Sequence, residues 1–405
     1  MFPTQKKPFS LEPPDRLKKL PPYLFVEVDR RKRELLAKGK NVIDLGVGDP
    51  DLPSPDFVIE ALAEAARDPR NHRYALDQGL PELRETFARW FFERFHVKLD
   101  PAEEILPLIG SKEGIAHLPL AILNPGDVAL IPDPCYPVYK SATHLAEGVP
   151  YLLPLLETQS FLPDLFSLED EIVKQARLLF LNYPNNPTAA VSPREFFEKA
   201  VSFARQYHLL IAQDAAYSEM TYDGYVAPSI LQIEGAKDVA IEFHSLSKTY
   251  NMTGWRCGFA VGNREAIKLL SKVKSNVDSG IFQAVQLAGK CALEEGKAFL
   301  EKTLQIYKRR RDLFVGGLNR LGWNVPLPKG TFYVWIPVPP GYTSQELALK
   351  LLEDAQIVVT PGNGFGPNGE GYVRVSLTIA ENRLEEALQR IEKIHSHPHG
   401  KSSGA

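Results

Sequence analysis

Residues 50–285 of the chain alternate helical periodicities with short runs of apolar residues. The runs lack in-out alternation, and near-continuous apolar runs are typical of strands in a sheet that is covered on both faces. We predict strands at 128–132, 178–182, 209–214, 240–244 and 258–262. Between two of them, residues 193–207 carry a helical period, with Ser192 as the predicted N-cap and Glu195 completing a capping box. The alternation predicts an α/β domain with a mostly parallel sheet.

The last third of the chain has a different pattern. A long helical stretch covers 281–321 and stops at Gly322, and it is followed by strands at 332–336 and 372–377 and by helices at 344–355 and 381–394. We interpret this part as a smaller α+β domain, to which the N-terminal helix 23–37 and strand 42–45 also belong. The predicted division is an N-terminal segment 1–48 joining the small domain, a large domain 49–285, a small domain 286–395 and a disordered tail 396–405.

Composition restricts the partners of the protein. The formal net charge of −3 gives no basic footprint, so neither nucleic acid nor an anionic membrane is an expected partner. No apolar stretch approaches the ~20 residues that span a bilayer, and the three cysteines show no CxxC spacing. We therefore expect a cytoplasmic protein with reduced thiols. The histidines of the tail, 395–399, are interpreted as part of a frayed end, and no metal site is predicted.

The strongest chemical signal is Ser245-Leu246-Ser247-Lys248, with Arg256 and Gly258 further along the same segment. An apolar strand delivers this segment to its carboxyl end, where ligands bind in open α/β sheets. A lysine amine at such a place can form an imine with an aldehyde cofactor. Hydroxyls and a guanidinium beside it can hold a phosphate through charge-assisted hydrogen bonds. The segment therefore predicts pyridoxal 5'-phosphate carried on Lys248, and a solvated lysine in a serine-rich loop is the weaker interpretation.

Two other strand ends offer what a pyridine ring needs. Asp214 ends the run 209–214 and could pair with the ring nitrogen, and Tyr217 could bond the phenolic oxygen of the ring. Asn186, in Asn182-Tyr183-Pro184-Asn185-Asn186-Pro187-Thr188, could donate to the same oxygen. A strand-end aspartate is also a common helix cap, and Asn-Pro is a common turn. Only their combination with Lys248 favours the cofactor site.

A helix N-terminus adds a candidate anion site. Ser111 and Lys112, in Gly110-Ser111-Lys112-Glu113-Gly114, precede an apolar helix whose free N–H groups would bind the phosphate. Tyr136 is a candidate to stack on the cofactor ring, although a core tyrosine is almost as good an interpretation. Gly362-Asn363-Gly364-Phe365-Gly366 has no helix directly after it, so we interpret it as a mobile loop beside the site and not as a dinucleotide loop.

Taken together, these segments resemble the class I/II aminotransferases of fold type I. The resemblance runs in order over nearly the whole chain and implies a large domain with a mostly parallel, seven-stranded sheet plus a smaller α+β domain. Within that family the chain is most similar to the LL-diaminopimelate aminotransferases. The matching passages are Leu20-Pro21-Pro22-Tyr23-Leu24-Phe25, Asp44-Leu45-Gly46-Val47-Gly48-Asp49-Pro50, Glu242-Phe243-His244-Ser245 and Lys274-Ser275-Asn276-Val277-Asp278-Ser279-Gly280.

The resemblance implies further roles. Arg374 matches the arginine that clamps the substrate α-carboxylate, Gly48 a backbone contact to it, and Tyr23 a residue that closes over the substrate. Tyr74 matches a tyrosine that reaches the cofactor phosphate of the neighbouring subunit. Asn276 matches a residue that reaches across to the substrate of the neighbouring site. A homodimer with composite active sites is implied, acting on amino-acid and 2-oxo-acid substrates.

Two departures from the family pattern and three rival functions stay open. Ala189 stands where many relatives have glycine, and Asp77 where some carry a glutamate that reads the distal amino group. Aminotransfer from another amino acid, or a β-lyase reaction on the same fold, would use the same residues, because the cofactor supplies the chemistry. A non-catalytic regulator is the third rival, but it would need a DNA-binding segment that the sequence does not contain.

Overall fold

The computed structural model describes residues 11–20, 26–75 and 78–395. Its α-helices before residue 280 are Asp15–Lys18, Val26–Ala37, Asp56–Arg67, Pro81–Phe95, Ser111–Ile122, Val138–Leu145, Asp170–Gln175, Arg194–Tyr207, Ala236–Val239, Leu246–Thr249 and Arg264–Lys274. Those after it are Gln283–Glu295, Lys297–Arg320, Ser344–Ala355 and Glu381–His395. The short 3₁₀ helices are Pro69–His72, Glu157–Gln159, Leu165–Ser167, Ile230–Gln232, Gly362–Phe365 and Pro367–Gly369. None of the helices in the described ranges is both long and apolar enough to cross a bilayer.

A seven-stranded sheet forms the centre of the molecule. Its strands, in spatial order, are Ile105–Leu108, Gly258–Gly262, Ala240–Ser245, Leu210–Asp214, Ala176–Asn182, Val128–Asp133 and Val149–Pro154. Neighbouring strands pair in parallel, except that Gly258–Gly262 runs antiparallel to both of its neighbours. The predicted α/β fold with a mostly parallel sheet is thus confirmed. The two strands that we did not predict are the edges, since Ile105–Leu108 has only four residues and most of Val149–Pro154 is half-buried or exposed.

Both faces of this sheet are buried, as the apolar runs predicted. Along one strand, Leu178 and Phe180 belong to a core with the helix Ser111–Ile122, while Leu179 and Leu181 belong to a core with Phe197 on the other face. The alternation of a strand's side chains between two cores explains why residues 178–181 are all apolar. Buried polar residues also occur inside a central strand, since Glu242 and His244 of Ala240–Ser245 bond to each other at 2.6 Å.

A second, smaller core lies around a three-stranded antiparallel sheet. Its strands are, in order, Thr360–Pro361, Tyr372–Ser376 and Tyr333–Pro337. The N-terminal strand Ile43–Asp44 pairs in parallel with Ile357–Val358, so the N-terminal segment contributes to this core. The helices Lys297–Arg320, Ser344–Ala355 and Glu381–His395 cover it. The boundaries of the two domains themselves remain a prediction.

Three local predictions were wrong, each for a packing reason. The helical stretch 281–321 is two helices that meet at Gly296, where a Cβ would lie 2.3 Å from the Tyr250 ring. Ser192 does not cap the following helix, because Pro193 takes the N-cap position and the Ser192 hydroxyl donates to the carbonyl of Pro193 instead.

The glycine-rich segment was the third of these. It lies near the cavity, as expected, but Gly362–Phe365 is a buried 3₁₀ turn and not a mobile loop. The amide of Cys135 donates to its carbonyl at Phe365, and a Cβ at Gly366 would lie 1.5 Å from the Asp133 carboxylate.

Candidate active site

Three adjacent parallel strands end at one edge of the large sheet, and a cavity of about 310 Å³ opens there. The strands end at Asn182, Asp214 and Ser245, and Asn182 pairs directly with Asp214 in the register of the sheet. Because the carboxyl ends of parallel strands meet at the same edge, residues far apart in sequence converge. The cavity brings together twelve of the predicted site residues: Gly48, Ser111, Lys112, Tyr136, Asn186, Asp214, Tyr217, Ser245, Ser247, Lys248, Arg256 and Arg374.

Lys248 lies in the one-turn helix Leu246–Thr249 and faces the cavity. The Ser245 hydroxyl caps this turn by accepting from the amide of Ser247, and the ammonium of Lys248 donates to the carbonyl of Gly48 at 3.0 Å. Burial lowers the pKa of Lys248 from 10.5 to about 8, against the attraction of the Asp49 carboxylate. A lysine in this state has a useful fraction of neutral amine near neutral pH, as a nucleophile or base requires.

Asp214 is buried and lines the same cavity. The Tyr139 hydroxyl donates to its carboxylate at 2.8 Å, and the amide of Ala216 donates at 3.2 Å. Burial nevertheless raises the pKa of Asp214 from 3.8 to about 6. Among the described residues no lysine or arginine forms an ion pair with this carboxylate, so it is suited to receive a cation such as a protonated ring nitrogen.

The asparagine turn links the large sheet to the small one. The Asn182 side chain donates to the carbonyl of Asp214 at 2.7 Å and accepts from the amide of Asn186 at 2.8 Å, which fixes the turn. The side-chain carbonyl of Asn186 accepts from Arg374 at 2.8 Å. Its NH₂ group is therefore the part of Asn186 that is left to donate into the cavity.

An anion cradle forms the third wall. The helix Ser111–Ile122 begins after Gly110, so its first N–H groups have no capping side chain at that position. Arg256 is held by donation to the carbonyl of Thr253 at 2.7 Å. A Cβ at Gly110 would lie 2.2 Å from the Arg256 guanidinium, and one at Gly258 would lie 2.6 Å from the amide of Ser111. The two glycines let the arginine and the helix N-terminus approach closely enough to bind one anion.

Arg374 is buried on the strand Tyr372–Ser376. It also donates to the carbonyl of Gly46 at 2.8 Å, and its guanidinium lies between the rings of Tyr333 and Phe365, at 4.2 and 4.7 Å from their centroids. Its Nε is buried without a hydrogen-bond partner in the described part of the chain. A guanidinium with a fixed plane and N–H groups to spare is prepared for a carboxylate.

Two of the predicted residues that the structure describes lie elsewhere. Tyr74 is 88% exposed, and Asn276 is exposed with its amide bonded to the carbonyl of Lys272. Neither lines the cavity of this single chain. Tyr23 lies outside the described residues, as does Asp77.

Several residues at the cavity were not predicted. Asp49, Thr253 and Tyr333 line it, Asn182 anchors the asparagine turn, and Tyr139 holds Asp214. Asn182 could have been found, because it ends an apolar strand as Asp214 does. Tyr139 and Tyr333 carry no such signal, because a tyrosine inside an apolar helix or strand has the pattern of a core residue.

Comparison with known proteins gives a consistent result. The sequence matches the family model for aminotransferase class I and II over residues 40–391. The LL-diaminopimelate aminotransferase of Syntrophobacter fumaroxidans is 53% identical over 380 residues, covering 94% of this chain and 98% of that protein. That of Aquifex aeolicus is 53% identical over 380 residues, with the same coverage.

Solved structures extend the comparison to the fold. Substrate-bound BacF from Bacillus subtilis has a TM-score of 0.91 at 38% identity, covering 96% of this chain and 98% of that one. A double mutant of Thermus thermophilus aspartate aminotransferase has a TM-score of 0.89 at 31% identity, covering 95% and 100%.

Proposed function

The chain belongs to the class I and II aminotransferases, and we propose that its reaction is between L-glutamate and tetrahydrodipicolinate in its open-chain oxo form, giving 2-oxoglutarate and LL-2,6-diaminopimelate for lysine biosynthesis. The observation that carries the substrate assignment is the similarity to LL-diaminopimelate aminotransferases, at 53% identity over 94% of this chain. The residues of the cavity support the reaction class, because they provide a reactive lysine, a buried carboxylate and an arginine for a carboxylate substrate.

The proposed cofactor is pyridoxal 5'-phosphate, and the residues present fit its parts. The anion cradle of Ser111, Lys112 and Arg256, with the hydroxyls of Ser245 and Ser247, matches the phosphate. Asp214, which lines the same cavity, would pair with the ring nitrogen. Tyr136 would stack on the ring, and the hydroxyl of Tyr217 and the NH₂ of Asn186 would bond its phenolic oxygen. When bound, the cofactor carries the amino group between substrates and withdraws negative charge from the substrate α-carbon.

The side chains divide the remaining work among them. Arg374 binds the substrate α-carboxylate and orients the α-carbon, with a backbone contact from Gly48. The neutral amine of Lys248 would take the proton from the substrate α-carbon and deliver it to the adjacent carbon of the cofactor. The lowered pKa of Lys248 favours this neutral amine at neutral pH. Asp214 stays ionised when it faces a cation, so it holds the proton of the ring nitrogen in place. Donor and acceptor react by the same steps in opposite directions.

We also propose that two chains form a homodimer with composite sites. Tyr74, an aromatic side chain that is 88% exposed in the single chain, would reach the phosphate of its neighbour's site. Asn276, also exposed, would reach across to the substrate. Tyr23 would close over the substrate. A cytoplasmic location, expected from the composition of the chain, belongs to the same proposal.

The test is a single-turnover absorbance experiment on the purified enzyme, mixed separately with LL-diaminopimelate, L-glutamate and L-aspartate. Conversion of the cofactor to its aminated form by the first two, and little by aspartate, is the expected result. A better reaction with aspartate or an aromatic amino acid would remove the diaminopimelate assignment and leave the aminotransferase. Release of pyruvate and ammonia from a cysteine-type substrate would indicate a β-lyase instead.

A further inference from the structure

Tyr333 is a cavity residue to which neither the sequence nor the proposed function assigns a role. It begins the strand Tyr333–Pro337 of the small sheet and is only 3% exposed, with its side chain directed at the cavity. Its hydroxyl lies against the backbone of Gly48, because a Cβ at that glycine would be 1.9 Å from the hydroxyl oxygen. Gly48 is also the residue whose carbonyl accepts from Lys248.

The hydrogen bonds of this hydroxyl leave one valence open. The hydroxyl of Tyr217 donates to the Tyr333 oxygen at 3.1 Å. With Tyr217 as the donor, the proton of Tyr333 has no acceptor among the hydrogen bonds of the described residues. When the Tyr217 proton instead goes to the phenolic oxygen of the cofactor, the Tyr333 proton can go to the Tyr217 oxygen or to an acceptor in the cavity, and a charged carboxylate is the stronger acceptor of the two. A buried hydroxyl donor is costly to leave unpaired, at roughly 1–3 kcal/mol, so a partner in the cavity would be favourable.

The ring of Tyr333 also fixes the group beside it. The Cζ atom of Arg374 lies 4.2 Å from the centroid of the Tyr333 ring and 4.7 Å from that of the Phe365 ring. The guanidinium is further held by Asn186 and by the carbonyl of Gly46. An anion that binds the free edge of this guanidinium therefore enters a space bordered by the ring that carries the open hydroxyl.

We propose that Tyr333 is a further substrate-binding residue, whose hydroxyl donates to the same carboxylate that Arg374 binds. This proposal rests on the proposed function only in requiring a carboxylate substrate at Arg374. The hydroxyl takes the acceptor oxygen on the side of Gly48, while the ring holds the guanidinium in the plane of the carboxylate.

The experiment measures binding of glutarate, a carboxylate that cannot react, to the holoenzyme by titration calorimetry. Tyr333→Phe keeps the ring and removes the hydroxyl, so its Kd should rise roughly 10-fold or more, the usual effect of losing a hydrogen bond to a charged group. The KM for glutamate should rise in parallel with little change in kcat, and the cofactor absorbance should stay as in the wild type. Tyr307→Phe is the matched control, since the Tyr307 hydroxyl is buried in the same core without a partner among the described residues.

Arg374→Lys separates the two hypotheses. If glutarate binding is the same in wild type and Arg374→Lys, the carboxylate clamp of the proposed function is wrong. If Arg374→Lys loses binding but Tyr333→Phe keeps the wild-type Kd, only the role of Tyr333 is overturned. A changed cofactor absorbance in Tyr333→Phe with unchanged glutarate affinity would also overturn it, because the residue would then act through Tyr217.

A second measurement needs no variant. In a crystal structure of the wild-type holoenzyme with glutarate, the Tyr333 oxygen should lie within about 3 Å of a carboxylate oxygen that also contacts Arg374. A separation too long for a hydrogen bond would contradict the proposal whether or not Tyr333→Phe folds.

Discussion

Two lysines are enclosed by this protein in opposite ways. The ammonium of Lys274 has no exposed surface and lies 3.3 Å from the Glu113 carboxylate and 2.7 Å from that of Asp278. Lys248, at the cavity, has among the described residues only the carbonyl of Gly48 at hydrogen-bond distance. A buried ammonium needs carboxylates to stay charged at low cost. Where carboxylates contact the ammonium the lysine is structural, and where they act only from a distance, as Asp49 does on Lys248, burial prevails and the lysine can lose its proton and react.

The surroundings of the two lysines strengthen the contrast. The guanidiniums of Arg374 and Arg256 repel the ammonium of Lys248 and so lower its pKa, as burial does. Around Lys274, a third group joins the carboxylates, since His117 bonds to Glu113 at 2.8 Å. Glu113, His117 and Asp278 place their ligand atoms within 4.8 Å of one another, but the ammonium of Lys274 already provides the cation that they face.

The largest expected effect is the loss of activity in Lys248→Met. Turnover should fall by roughly 10⁴-fold, the upper range for a positioned general base. Steady-state rates and circular dichroism, measured together, check that the fold survives. Substantial residual turnover would remove the role assigned to Lys248.

The same substitution should stabilise the protein without its cofactor. Because the folded pKa of Lys248 lies near 8 and the ordinary value is 10.5, the unfolded chain binds more protons between these values. The cost of the charged lysine is then fully present below pH 8 and disappears as pH rises to 10.5. At pH 7, Lys248→Met should raise the unfolding free energy by about 1–3 kcal/mol, as measured by urea titration. A gain that does not shrink between pH 8 and pH 10 would contradict the explanation.

Lys274→Met should have the opposite effect on stability. It leaves two carboxylates facing each other without a cation, which should lower the unfolding free energy by about 3 kcal/mol. Neutralising those partners in the same chain, with Glu113→Gln and Asp278→Asn, should recover part of the loss. An unchanged denaturation midpoint in Lys274→Met would show that the ion pairs do not stabilise the fold.

The pH dependence of cofactor attachment compares Lys248 with an ordinary lysine. The rate at which added pyridoxal phosphate attaches to the cofactor-free protein should rise roughly 10-fold from pH 7 to pH 9 and then level off, because the neutral amine saturates above a pKa of about 8. A lysine of pKa 10.5 would give a rise of roughly 100-fold over the same range and no plateau. Stopped-flow absorbance distinguishes the two.

The smallest expected effect concerns the ionisation of Asp214. Tyr139→Phe removes the hydrogen bond that favours the ionised form of Asp214, so the pKa of Asp214 should rise above its value of about 6. The acidic limb of the kcat/KM profile should move to higher pH, with a loss of roughly 3-fold to 10-fold at neutral pH. Tyr222→Phe is the control, since that buried hydroxyl has no partner in the described residues. An unmoved limb would mean that Tyr139 only packs.

The sequence predicted the parts of the site that follow apolar strands. Asp214 and Lys248 each stand out as a charged residue after an apolar run, where a charge is costly unless it has a function or a partner, whereas Arg374 was assigned by the family resemblance. Tyr139 and Tyr333 could not be predicted, because their rings pack like core residues and the sequence does not show where their hydroxyls point. The role of a tyrosine depends on where one atom points, and that is decided by tertiary packing.

The fold shows the same division. The central strands were predicted from their near-continuous apolar runs, whereas the edge strand Ile105–Leu108 has only four residues and most of Val149–Pro154 is half-buried or exposed. The break between the two helices at Gly296 was missed because it depends on a contact with Tyr250, a residue distant in sequence. Local sequence patterns therefore predict a helix or strand well when packing along its whole length selects apolar residues. They predict it poorly when a single tertiary contact determines where it ends.

The one antiparallel strand of the large sheet has a consequence for assembly of the site. Because Gly258–Gly262 returns beside Ala240–Ser245, with Ser245 paired to Gly258, the intervening loop carries both Lys248 and Arg256. The connection 246–257 is about half as long as the parallel crossover from Asp214 to Ala240, so closing it costs less entropy, by about 0.6 kcal/mol for such a halving of loop length. The attachment point of the cofactor and one of its phosphate ligands can thus come together as a local hairpin during folding, before the distant strands that complete the cavity have found their places.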